Sequence, residues 1–315
     1  MYFEQAVSST DGTITSLNTI FSSNFQVANA VMYQKIVLNE NNLINILKKN
    51  GYHVYGIFPN LTSFNSLREC FENENNSYDW IEPNIPSETL PTGLAKKIIR
   101  LLESKKQEPC FYYFHIFDLH PLREGRKPIG IENFDNEKFG SSLYERTVSA
   151  IDFWLAKILE YVDLDNTIVI LTADHGERIP HGGLRRVDFE PKEIQEQVRH
   201  VDFMPTILDQ LNIELDESFK PLDGVSLIPL INGKPFDEKI AYTETANPLD
   251  ANVPPKKPNT KSVRTSKWKF ILNEYNNTKE LYDLENDPDE LENIAGNGLE
   301  MEEVLFNELN KLQKI

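Results

Sequence analysis

The feature that most constrains this chain is the order of its hydropathy periods. Over the first two-thirds, segments with helical spacing alternate with short apolar runs rich in β-branched and aromatic residues. Asn42 to Lys49 (NLINILKK) has apolar residues at helical spacing, Asn50-Gly51 breaks it, and Tyr52 to Phe58 (YHVYGIF) reads as the strand that follows. Leu94 to Ser104 reads as a helix before the strand Cys110 to Phe117 (CFYYFHIF). The long amphipathic helix Tyr144 to Tyr161 precedes a further strand, Asn166 to Ala173 (NTIVILTA), and Val201 to Leu211 is helical again. Such alternation predicts an α/β layered fold with a mostly parallel sheet.

From about Pro235 the texture changes. NPLDANVPPKKPNTK (Asn247 to Lys261) is a loop, Val263 to Asn273 and Thr278 to Asp283 read as antiparallel strands, and Leu299 to Gln313 is a terminal amphipathic helix. A boundary near Lys234 therefore separates an α/β domain over residues 1–234 from a C-terminal subdomain over 235–315 with a small antiparallel sheet.

Charge narrows the function classes. Lys and Arg number 32 against 49 Asp and Glu, a net charge of −17, and this surface repels phosphate backbones, so nucleic acid is not an expected partner. An anionic small substrate requires a local cation that overrides the global field, most simply a metal. The longest apolar stretches, such as Ile168 to Ala173, are too short to span a bilayer, so no membrane segment is expected within this chain. The chain opens MYFEQAVSST, without the charged start and apolar run of a signal peptide. Cys70 and Cys110 are expected to be reduced thiols.

The strongest local signal is Thr172-Ala173-Asp174-His175-Gly176-Glu177, directly after a strand-like run. Ligands of parallel α/β sheets bind beyond the carboxyl ends of strands. Asp174 and His175 there offer a hard oxygen and an imidazole nitrogen, suited to Zn²⁺, Mn²⁺ or Ca²⁺; the plain alternative is a turn whose Asp caps the next helix. A second cluster, His115, Asp118 and His120, ends the earlier run, and His181 follows in IPHGG. The chain has six histidines, and four of them fall in these two strand-end loops, whereas His53 and His200 read as structural.

At these residues the chain resembles the sulfatases of the alkaline phosphatase superfamily. TIVILTADHGE is similar to that family's metal-binding strand and turn, and RHVDFMPTILDQLNI with DGVSLIPLING (Asp223 to Gly233) resembles its "VDLxPTLL…DGxSLxPLL" stretch. SVRTSKWKFI and ELYDLENDPDELENIA (Glu280 to Ala295) are similar to the C-terminal "RTxxxKYI…ELYDLxxDPxExxN" signature. The resemblance implies a three-layer α/β/α core with a small C-terminal sheet. It implies a nucleophile bound to a divalent metal (Ca, Zn or Mn) at a helix N-terminus, with Asp174 and His175 as ligands. His120 and His181 resemble the family's oxyanion contacts or leaving-group acids. His115 and Arg185 are the candidates for holding the substrate anion, with solvated surface as the alternative for Arg185.

Two departures bear on the chemistry. The stretch where the family has a C/S-x-P-S-R-like motif is here SSTDGTITSLNTIFSS, without Cys, Pro or Arg. Aligning Ile20 to Ser23 with the family's "LLTG" puts Thr13 at the nucleophile and metal-ligand position, as in the superfamily's phosphoryl-transferring members. The family also begins with a strand ending in acidic metal ligands, and no such strand is legible before Thr13. The expectation is a chain lacking that first strand, acting on a small-molecule, glycan or lipid-headgroup ester of phosphate or sulfate. The alternatives are an ordinary sulfatase, and an inactive relative that binds without chemistry and uses Thr13 only as a helix cap.

Overall fold

The computed structural model describes residues 1–25, 36–38, 40–59, 61–73, 77–78, 80–81, 88–104, 109–123, 125–176, 193–215, 221–245 and 259–313. They form two compact units. One holds the described residues of Met1–Leu43, Asp174–Gly176 and Val187–Ile315, and the other those of Ile44–Ala173. The change of texture near Lys234 thus marks a change of sheet type within one unit.

The second unit is built on a three-stranded parallel sheet in the order Trp80–Ile81, His53–Ile57, Cys110–Phe114, with register running from His53↔Cys110 to Ile57↔Phe114. Helix Leu43–Lys49 hands over to the central strand at Gly51, whose φ of +83° suits glycine. The Gly51 N–H reaches the Lys48 carbonyl and the Tyr52 N–H the Leu47 carbonyl, each at 3.0 Å, which closes the helix as a Schellman turn. Strand Cys110–Phe114 is apolar throughout because both its faces are covered. Tyr112 and Phe114 join the core of helices Ala95–Glu103 and Leu143–Leu159, through Ile98, Leu101 and Ile158. Phe111 and Tyr113 point the other way, to Phe71 and Phe58, with ring centroids 6.1–6.3 Å apart. The long helix starts at Leu143, one residue ahead of the expected Tyr144, at the capping box of Ser142 with Glu145.

One expected strand is absent. Residues 167–173 form no ladder with any described residue, and Ile168, Val169, Ile170 and Leu171 are 47–73 % exposed. Composition makes NTIVILTA a good strand, but a strand also needs a backbone partner, and among the described residues the ladder of Cys110–Phe114 is with His53–Ile57.

In the first unit, Tyr2–Phe3 and Ala6–Val7 pair in parallel with Glu193–Ile194 and Val198–Arg199, two short strands that hydropathy did not reveal. Helix Thr13–Ser22 follows, buried at Thr15, Ser16, Asn18, Thr19 and Ser22 as well as at Leu17 and Phe21. Two of its hydroxyls are satisfied within the helix: Thr19 donates to the Thr15 carbonyl at 3.1 Å and Ser22 to the Asn18 carbonyl at 2.6 Å. Four antiparallel strands, Ala241–Thr245, Thr260–Arg264, Trp268–Asn273 and Thr278–Asp283, pair in sequential order; the expected run Val263 to Asn273 divides into two of them, and Ala241–Thr245 was not expected. Val263, Phe270 and Leu281 pack with Leu305 and Leu309 of helix Glu300–Leu312. Gly224 is required by close packing, since a Cβ there would lie 1.8 Å from the Val201 carbonyl oxygen. Cys70 and Cys110 are not joined in a disulfide, and Cys70 is buried. No helix among the described residues is long and apolar enough to cross a membrane.

Candidate active site

The first unit brings three of the sequence-predicted residues together. Helix Thr13–Ser22 begins at Gly12, whose extended backbone (φ −141°) caps it without a side-chain bond, so the first turn presents Thr13 and unpaired N–H groups. The Thr13 Oγ1 lies 3.2 Å from His175 Nε2, and Asp174 Oδ2 lies 3.6 Å from the same nitrogen. Both Asp174 and His175 side chains are largely covered, at 23 % and 15 % exposure.

The hydrogen bonds define the imidazole. His175 Nδ1 sits 2.6 Å from the Gly176 carbonyl, which can only accept, so Nδ1 carries a proton and Nε2 is the ring nitrogen that faces Thr13 and Asp174, its lone pair open in the neutral form. Asp174 Oδ2 is buried and has no hydrogen-bond partner among the described residues. A carboxylate oxygen, an imidazole lone pair and a hydroxyl oxygen thus converge with one hydroxyl proton between them. A divalent cation fits this donor set, and the bond from the other ring nitrogen to a carbonyl is how metal-binding histidines are oriented. Among the described residues no cluster of three or more His, Cys, Asp or Glu could hold a metal, so the set is two such ligands and the threonine.

His115 and His120 lie in the second unit, at the end of strand Cys110–Phe114. The His115 N–H extends the ladder onto the Ile57 carbonyl at 2.8 Å, and its Nδ1 is 2.6 Å from the Tyr113 hydroxyl. His120 opens the short helix His120–Arg123 and is exposed, with its ring 5.6 Å from that of Phe117. Between them Asp118 is 2 % exposed; its Oδ1 accepts the Leu90 N–H at 2.9 Å, while Oδ2 has no partner. Burial pushes the Asp118 carboxyl up to about 6, against the opposing pull of the Leu90 N–H. His181 and Arg185 lie outside the described residues.

Sequence reasoning missed the support behind Thr13. Ser16, one turn along the same helix, donates from Oγ to the Asp174 carbonyl, and Ser8 Oγ is 3.0 Å from that oxygen. His200, read from sequence as structural, has its Nδ1 3.1 Å from Ser16 Oγ. The spacing of Thr13 and Ser16, which puts them on one helix face, was the only signal available. Asp202 is structural: it pairs with Arg199 at 2.6 Å and accepts the Val225 N–H at 3.0 Å.

The family model described as Sulfatase matches residues 1–213, and that of N-sulphoglucosamine sulphohydrolase, C-terminal, matches residues 186–315. The chain belongs to the sulfatase family. It is 27 % identical over 191 residues to the choline-sulfatase of Rhizobium meliloti, covering 53 % of this chain and 36 % of that protein. It is 30 % identical over 183 residues to an N-acetylglucosamine-6-O-sulfatase of Bacteroides thetaiotaomicron, covering 49 % and 31 %. The chain therefore matches about a third of the length of these relatives. Among solved structures, a protein in complex with its substrate D-glucosamine-2-N,6-O-disulfate superposes with a TM-score of 0.69 at 17 % identity, covering 99 % of this chain and 90 % of the other. The phosphonate monoester hydrolase of Agrobacterium radiobacter gives 0.68 at 15 %, covering 99 % and 88 %. These two likenesses concern the fold.

Proposed function

We propose that the chain acts as a metal-dependent hydrolase or transferase of an anionic ester, with Thr13 as nucleophile and phosphate esters preferred over sulfate. The observation that carries this reading is the Thr13 hydroxyl 3.2 Å from an imidazole nitrogen whose tautomer is fixed by the Gly176 carbonyl. Asp174, His175 and Thr13 would hold the divalent cation (calcium, zinc or manganese), which when bound would neutralise the ester's charge and lower the pKa of the hydroxyl beside it. The open first turn of helix Thr13–Ser22 adds N–H groups suited to anionic oxygens. Thr13 Oγ1 forms the new bond to the central atom and the ester oxygen leaves as an alcohol. The family resemblance gives His120 and His181 as donors of its proton, with His115 and Arg185 as candidates for contact with the anion. Water, or an acceptor alcohol in a transferase, then attacks the same central atom and releases Thr13.

That second attack is what favours phosphorus. A threonine cannot be matured into the aldehyde hydrate by which sulfatases release sulfate without attack at sulfur, so the Thr13 ester must be cleared at the central atom. A second reading, sulfate-ester hydrolysis, is favoured by the names of the relatives, which are sulfatases. Those names also support a glycan or headgroup ester as the substrate class. The deciding experiment is paired kinetics on p-nitrophenyl phosphate, its diester and p-nitrophenyl sulfate. The expected result is higher kcat/KM on a phosphate ester, with Thr13→Ala losing at least about 1,000-fold in kcat while cation binding by Asp174 and His175 is weakened but largely kept. Higher kcat/KM on the sulfate, or full activity in Thr13→Ala, would return sulfate-ester hydrolysis to first place; cation binding without turnover on any ester would indicate an inactive relative.

A further inference from the structure

Behind the Asp174-His175 turn lies a buried relay that the chemistry above does not use. Ser16 is fully buried and His200 is 3 % exposed. The Ser16 hydroxyl carries one proton, and the Asp174 carbonyl can only accept, so that proton is committed to Asp174. His200 Nδ1, 3.1 Å from the same Ser16 oxygen, must then be the donor to it. Ser8 is the weaker partner of the Asp174 carbonyl, because its single proton is shared with the nearer Thr10 carbonyl, 2.6 Å away against 3.0 Å.

We infer that His200 is a positioning residue: held as the Nδ1–H tautomer, it orients Ser16, which pins the Asp174 carbonyl and so sets the Asp174 carboxylate and the His175 imidazole against Thr13. Three pieces of chain meet in this relay. Ser16 stands three residues from Thr13 on one helix face, Asp174 adjoins His175, and His200 occupies the turn His200–Asp202. That turn is rigidly anchored. Arg199 and Asp202 form an ion pair with both side chains at most 5 % exposed, and the Ser23 hydroxyl ties the Val201 carbonyl to the end of the Thr13 helix at 2.6 Å. The His200 ring also packs on Phe203, with centroids 5.4 Å apart. A peptide plane held chiefly by one hydroxyl, with Ser8 as a weaker second, is sensitive to the loss of that hydroxyl, and partners of this outer kind are worth about 10–100-fold in metal affinity or activity.

This inference rests on the reading of Thr13, Asp174 and His175 as the reactive centre, and the test separates the two. Long-range ¹H–¹⁵N NMR of the imidazoles, with Mn²⁺ affinity measured by calorimetry, is applied to the wild type and to Ser16→Ala, His200→Ala, His200→Asn and Asp174→Ala. The expected result is an Nδ1–H tautomer at His200. Ser16→Ala and His200→Ala should shift the His175 ring resonances and weaken Mn²⁺ by about tenfold. His200→Asn, whose amide places an N–H where Nδ1–H stood, should restore both. A His200 Nε2–H tautomer would overturn the relay, as would unchanged His175 resonances in Ser16→Ala and His200→Ala. Failure of Asn to rescue would likewise reduce His200 to a packing residue. If instead Asp174→Ala binds Mn²⁺ like the wild type, the cation site is wrong, while the tautomer and the His175 resonances still decide the relay.

Discussion

Two segments of similar composition end differently. CFYYFHIF and NTIVILTA are both short, apolar and β-prone, and each is followed by candidate site residues. The first becomes strand Cys110–Phe114, paired along its length with His53–Ile57 and covered on both faces. The second pairs with no described residue and leaves its apolar side chains about half exposed. Composition makes a strand possible; a partner with matching register makes it real, because each unpaired N–H and C=O must otherwise face water. The site residues reflect the same difference. His115 and Asp118 are held by the sheet and the turn around them, whereas Asp174 and His175 owe their placement to hydroxyls of another element, Ser16 and Thr13.

The sharpest way to break this comparison is a pair of truncations. Ile57→Ala removes a fully buried side chain from the paired sheet and should cost about 3 kcal/mol in urea unfolding. Asp118, beyond the paired strand, supplies the next effect. Its carboxyl rises from 3.8 to about 6, so the folded protein holds the proton more tightly than the unfolded chain. The stability this group contributes is therefore full below about pH 4 and lost as pH rises through about 6. Asp118→Asn keeps an oxygen for the Leu90 N–H and should flatten the stability profile across that window, raising stability at neutral pH by up to about 3 kcal/mol. Thermal melts from pH 4 to 7.5 check it, and an unaltered slope would show that Asp118 titrates normally.

Smaller effects test the segments' flanks. Ser142→Ala removes the cap of the long helix that precedes the unpaired run and should cost about 1 kcal/mol. Ile170→Ala, at 47 % exposure, should cost no more than about 0.5 kcal/mol. A loss there comparable to that of Ile57→Ala would mean that residues 167–173 are packed in solution after all.

The sequence by itself determined the layered α/β character, an antiparallel sheet toward the C-terminus and the helix stop at Gly51. These were legible because periodicity, capping chemistry and the family-like stretches are local properties of a chain. The polar helix Thr13–Ser22 was not legible from hydropathy, since two of its buried hydroxyls are satisfied on backbone carbonyls that a sequence does not show. Tertiary structure alone decided that NTIVILTA pairs with no described residue, that His200 stands behind Ser16, and that Asp174 Oδ2 is buried with no hydrogen-bond partner among the described residues. Each is a relation between residues distant in sequence, and strand pairing, hydrogen-bond reach and desolvation exist only once folding has set those distances.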